Sequence, residues 1–363
     1  MGTTTSPAAG ARTVRGMAGL VDRADDYQRR HRVVGVPLAV VYKFFDDQGN
    51  YLAAIITYYS FVAIFPLLLI ASSVLGFVLQ GNEELERDIL SSALSQFPIV
   101  GTQLGRPEGL QGSASAVVVG SLAALYGVVG LGQAAQNVVN AAWAVPRNSR
   151  LNPVVSRVRS FLLLVLAGFA VLAVALLSSV ASHVEVFGTD VDLSVSLVFR
   201  VAAVALSALV LALMMSHATA EHHPLRVVLP GAVAMALMWQ LLQVLGGVYV
   251  ARVLSRASDM NGVFALVLGL VALLYVAAVM AVLGIEINVV LAKRLYPRSL
   301  LTPFTDDVEL TEADRRVYTD AAKSTRHKGF EHVSVTFAKD TAGPQGDAGA
   351  EGTSDPEATD AAR

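Results

Sequence analysis

The chain has no cysteine, which removes disulfides, thiolate nucleophiles, iron–sulfur ligation and cysteine-bound zinc together. Charge is scarce: 15% of the 363 residues are Asp, Glu, Lys or Arg, and a formal net charge of −2 leaves no global basic footprint for nucleic acid. No Walker A phosphate loop occurs, and Gly127 to Gly132, Gly-Val-Val-Gly-Leu-Gly, follows no strand, so a dinucleotide fingerprint is excluded. Apolar residues are abundant instead. They make up 54% of the chain, mean hydropathy is +0.56, and they gather in blocks of about 20 residues or more, each long enough to cross a hydrocarbon core of roughly 30 Å. The blocks do not alternate apolar with polar as membrane-spanning β-strands would. The sequence therefore predicts an all-α polytopic membrane protein.

Six spans are expected at Tyr51 to Leu79, Ser115 to Trp143, Ser160 to His183, Ser194 to Ser216, Val227 to Val250 and Gly262 to Leu291. The first begins too far from the N-terminus, and is too long, for a cleaved secretory signal. Between the first two, Asn82 to Phe97 predicts an amphipathic interfacial helix: Asn82 caps it, Glu83, Glu84 and Glu86 meet the N-terminal dipole, and Leu85, Ile89, Leu90, Ala93, Leu94 and Phe97 share a face. Four regions result: a basic cytoplasmic segment over 1–50, the six-helix domain over 51–298, a cytoplasmic segment with a short helix over 299–339, and a disordered acidic tail over 340–363. Within the first, the apolar run Val33 to Tyr42 is too short to cross; it either lies at the inner surface or packs as a short helix under the bundle. Thr311, with Asp314 three residues on, opens the short helix of the third region much as a capping box does.

Orientation follows from the basic residues of the tails and short loops. With the N-terminus inside, fifteen lysines and arginines fall on the inner side and four on the outer. Both termini are thus expected in the cytoplasm.

Polar groups at membrane depth are costly, and each needs a reason. Gln133, Gln136, Asn137 and Asn140 share one face of the second span, as a polar path or as interhelical glue. Gln240, Gln243 and Asn288 are candidates for the same intramembrane network. Arg200 sits near the outer end of the fourth span, placed to snorkel or to meet Asp190 or Asp192. Glu286, near the inner end of the sixth, is read as a proton-coupled carboxylate or as a structural partner for Arg147 or Arg150. Pro66 interrupts the first span, and Gly76, Gly127, Gly130, Ala277 and Ala281 would permit close helix contact. His217, Glu221, His222 and His223 cluster on an inner loop, but their spacing matches no zincin pattern, so no metal or other cofactor is expected.

Four stretches together resemble the YihY/BrkB family of bacterial inner-membrane proteins, over about Asp46 to Arg298. They are Asp46 to Pro66, reading Asp-Asp-Gln-Gly-Asn-Tyr-Leu-Ala-Ala-Ile-Ile-Thr-Tyr-Tyr-Ser-Phe-Val-Ala-Ile-Phe-Pro; Asn-x-x-Trp-x-Val-Pro-x-x-x-Arg from Asn140 to Arg150; Leu-Pro-Gly-Ala from Leu229 to Ala232; and Leu-Gly-Ile-Glu-Ile-Asn from Leu283 to Asn288. The resemblance implies six inner-membrane helices with cytoplasmic termini. It brings three functional labels: virulence association through serum resistance, movement of lipids or lipid-linked molecules, and an older one of ribonuclease. A structural or envelope-integrity role without transport, in which the polar residues only lock helices together, is the alternative to transport. The bilayer is the first expected partner, with a lipid or lipid-linked substrate as the second. A ribonuclease needs clustered acids or histidines and a basic surface for RNA, and Asp306, Asp307 and Glu309 form only a loose acidic run. An enzyme is not expected.

Overall fold

The computed structural model describes residues 23–78, 114–186, 193–252, 259–300 and 308–337, with side chains for most of them. Within these it is all helical. After a helical segment over 23–30 come α1 (Arg32–Asp46), α2 (Gly49–Val78), α3 (Ala114–Ala142), α4 (Pro153–Val186), α5 (Leu193–Ala218), α6 (Leu225–Arg252), α7 (Asp259–Lys293) and the short α8 (Glu312–Ser324). The expected spans correspond to α2 through α7. Pro153–Val174, Val201–Ala218, Leu225–Val248 and Val267–Lys293 are long and apolar enough to cross a bilayer, and α2 opens with the apolar stretch Gly49–Ile64. The expected amphipathic helix, the N-terminal residues 1–22 and the acidic tail lie outside the described residues.

Each helix packs on the next, from α2 to α7, and α7 closes back onto α2, so the six make a ring. Their outward faces are apolar and exposed: Leu122, Leu125, Phe161, Leu162, Phe169, Leu237, Leu241 and Leu245 have no protein cover. Such faces suit lipid, since hydrocarbon is as apolar as leucine and exacts no penalty for exposure.

Helix association inside lipid depends on close contact and hydrogen bonds, and glycines supply the contact here. A Cβ on Gly231 of α6 would collide with the Gly284 carbonyl oxygen of α7, and one on Gly130 of α3 with the Tyr59 ring of α2. A Cβ on Gly127 would come within 2.9 Å of the Ala63 nitrogen, so α2 and α3 approach at backbone distance there. Among the described residues the core gathers toward the end of the ring that α1 closes, with Val138, Ala142, Val145, Ala212, Val228, Val282, Val289 and Leu295 all nearly inaccessible.

The short helix α1 packs beneath that core. Ala39, Val40 and Phe44 are buried in the same cluster as Leu52, Val289 and Val290. Of the two sequence readings for this run, the packed helix is the one observed. At the other end of the chain Thr311 and Asp314 form a full capping box that starts α8. The capping carboxylate has a second use: it also takes the guanidinium of Arg298 and the backbone N–H of Ser299.

Candidate functional site

The amide face of α3 is spent largely on neighbouring elements. Gln136 donates to the Ser156 carbonyl at 2.9 Å and to Ser160 Oγ at 2.7 Å, and accepts from Ser156 Oγ at 3.0 Å, which ties α3 to α4. Asn140 accepts from the Ala220 N–H at 3.0 Å, in the loop after α5. Asn137 is exposed and accepts from Arg150 at 3.0 Å. Gln133 is half-buried on the same face. On α7, Asn288 accepts from the Gly231 N–H at 2.7 Å, a bond that fixes the close crossing of α6 and α7. Gln240 is exposed, apart from this network, and Gln243 is half-buried with partners of its own. The side chains of Arg200 and Pro66 lie outside the described set.

Glu286 does not meet Arg147 or Arg150. Arg147 contacts His327 and Arg150 reaches Asn137, whereas Glu286 stands 3.7 Å from the ammonium of Lys43 on α1. The packing of α1 under the bundle accounts for the change, because it carries a lysine to the carboxylate before any loop arginine can reach it. Lys43 is itself buried, pairs closely with Asp47, and donates to the Ala142 carbonyl at 3.2 Å. Burial alone would draw the Lys43 ammonium down, but the carboxylates of Glu286 and Asp47 outweigh it and hold it above its ordinary value. Burial pushes the Asp47 carboxyl up, against the pull of Lys43.

A second charged knot lies beside the first. Arg298 is 1% exposed, bonds Asp314 through Nε and reaches Asp46 at 3.0 Å through NH2. Gln28 donates to the Arg298 carbonyl at 2.5 Å, and Tyr42 to the Leu300 carbonyl at 2.8 Å. These contacts draw the N-terminal helical segment, α1 and α8 into one polar layer under the bundle. The sequence reading counted Lys43 and Arg298 only as topological charges and missed their pairing. The signal for Lys43 was its spacing of four from Asp47, the helical ion-pair interval. For Arg298 nothing local marked the partners, which lie 16 and 252 residues away.

The histidine loop behaves as packing. His223 stacks on Trp143 with centroids 3.7 Å apart, and His217 meets His222 edge-on at 5.2 Å. Burial holds the His223 imidazole below its ordinary value.

Beyond the packed core, α4 to α7 part around an apolar cleft of about 280 Å³. Its lining runs from Ala167, Ala170 and Val174 on α4 through Met214 on α5 to Trp239 on α6 and Ala277 on α7. Among the described residues no charged side chain lines it. Because α4 and α7 both contribute while each helix packs on its sequence neighbour, the cleft sits on the concave side of that arc. Ala277 and Met280, which both line the cleft, lie in the middle part of the apolar stretch Val267–Lys293 of α7.

An all-helical ring with lipid-compatible outer faces and a sealed polar layer at one end defines an integral, polytopic membrane protein. The family model described as Virulence factor BrkB matches residues 40–306, well over half of the chain, and the protein belongs to that family. Comparison with curated proteins and with solved structures finds no significant match.

Proposed function

We propose that the protein handles membrane lipids, taking one apolar chain of a lipid or lipid-linked molecule into the α4–α7 cleft and moving the molecule between leaflets. The cleft carries the reading. Its lining is apolar, it includes residues from the middle part of the α7 apolar stretch, and its volume is just below the roughly 300–1,000 Å³ usual for small-molecule sites. One hydrocarbon chain suits that space better than a headgroup does. The expected orientation, with both termini in the cytoplasm of a bacterial inner membrane, puts the Lys43 and Arg298 layer on the cytoplasmic side, as the excess of inner lysines and arginines requires.

A second reading, a structural membrane protein that moves nothing, is favoured by the hydrogen bonds that consume Gln136, Asn140 and Asn288. Neither reading includes a nuclease: among the described residues the acids Glu286 and Asp314 are both buried, the first against Lys43 and the second bound to Arg298.

A lipid carrying a photoreactive group near the middle of its acyl chain distinguishes cleft binding from general lipid contact. In nanodiscs, peptides containing Ala170, Met214, Trp239 and Ala277 should be labelled, and Ala277→Phe should remove most of that labelling while leaving it on the outward Leu237 face. Label spread evenly over the outer faces, unchanged by Ala277→Phe, would refute cleft binding.

A further inference from the structure

Glu286 is fully buried, no N–H or O–H group of the protein donates to either of its carboxylate oxygens, and the Asp47 carboxyl lies within hydrogen-bond reach of it. That is an unusual position for a carboxylate beside an ammonium group. The explanation lies in how Lys43 spends its donors: on Asp47 and on the Ala142 carbonyl, with Glu286 left at 3.7 Å, beyond hydrogen-bond reach. One ammonium therefore faces two carboxylates and has bonded the less buried of them.

Among the described residues the surroundings supply no second cation. Asp46, the other acid near Glu286, is taken by Arg298, whose remaining partner is Asp314. Lys293, two turns further along α7, bonds Asp320 and the Trp143 carbonyl. From α2, Tyr51 and Tyr58 are exposed, and Tyr59 rests against Tyr126 of α3. On the α6 side Arg226 is exposed at the helix end, and His223 of the preceding loop stacks on Trp143. With Glu286, Asp47 and Lys43 all ionised, the site would hold a net negative charge with Glu286 sealed from water, a state that burial strongly disfavours.

We infer that Lys43, Asp47 and Glu286 form a binding site for one exchangeable proton at the joint between α1 and the inner end of α7. With the proton aboard, the three groups sum to neutrality and Lys43 stays on Asp47. Asp47, 14% exposed where Glu286 is sealed, is the contact with water. On loading, a proton leaves water for an Asp47 oxygen and passes to Glu286; on release it returns by the same route, and no other bond changes. Loss of the proton leaves two carboxylates competing for one ammonium, so occupancy decides whether Lys43 is held by α1's own turn or drawn toward α7. The pair of acids titrates as a unit. This site stands independently of what the cleft holds.

Infrared spectroscopy of the full-length protein in nanodiscs reads the proton directly, through the carbonyl stretch of a protonated carboxylic acid at neutral pH. Wild type should show that band. Glu286→Gln should lose it, and so should Asp47→Asn, because Lys43 is then free to pair with an ionised Glu286. Glu309→Gln, at an exposed acid, should keep it. Glu286→Gln copies the protonated form and is expected to melt at or above the wild-type temperature, with its advantage growing as pH rises. Absence of the band in wild type, or its survival in either Glu286→Gln or Asp47→Asn, would overturn the inference.

Discussion

Asp314 answers to three demands at once. It caps α8, neutralises a buried arginine and accepts from the Ser299 N–H, all while itself fully buried. Removing one partner of a buried ion pair leaves the other charge uncompensated, at a cost of about 3–5 kcal/mol. Asp314→Ala should therefore lower stability by about 3 kcal/mol or more, seen as a large drop in the thermal unfolding midpoint of the purified protein. Arg29→Ala is the contrasting case. Its pair with Asp25 is partly exposed, and such pairs contribute under about 1 kcal/mol. The capping role of Asp314 was legible from Thr311 and the three-residue spacing. Its bond to Arg298 was not, because a contact between a connecting segment and a following helix leaves no periodic trace. Glu286 shows the same divide: burial at the inner end of a span could be read, whereas a partner on a helix more than 200 residues earlier in the chain could not.

At the scale of the element, the spans were the most legible feature, since the bilayer fixes their length and forbids polar runs within them. Their crossings depend on single residues. Gly231 and Gly284 bring α6 and α7 to backbone distance, and the Asn288 side chain bonds the Gly231 N–H across the gap. Gly231→Ala should force the two helices apart, break that bond and reduce both folded yield and melting temperature. Gly247, further along α6, has nothing within 4 Å of a Cβ. Gly247→Ala should be neutral or stabilising by up to about 1 kcal/mol, as for glycine replacement within a helix. Thermal melts of the two variants side by side check the distinction. Gly231 and Gly284 fall within the Leu229–Ala232 and Leu283–Asn288 stretches and Gly247 does not, but what each one touches is set by helix rotation about its axis, which the sequence does not show.

The whole molecule is graded along the membrane normal. At one end a polar layer built from α1, α8 and the segments beside them seals the ring; next comes a packed apolar core; beyond it α4 to α7 open into the cleft. The closed ring and the cleft were illegible in the sequence, which shows the apolar blocks but not the order of their packing. Orientation is tested simply in a chain without native cysteine. A cysteine at Asp190 should react with an impermeant maleimide applied to intact cells, and one at His222 should react only after the membrane is opened. The reverse pattern would invert the topology.

Lipid movement is the central claim, and flux in defined vesicles tests it most directly. Liposomes reconstituted with wild-type protein should pass fluorescent phospholipid between leaflets faster than protein-free vesicles. Ala170→Phe and Ala277→Phe, which fill the cleft, should reduce the rate by about tenfold, while Leu237→Phe on the lipid-facing side should leave it unchanged. Equal rates with and without protein, for phospholipid and for an isoprenoid-linked lipid alike, would contradict the account and leave the structural reading in its place.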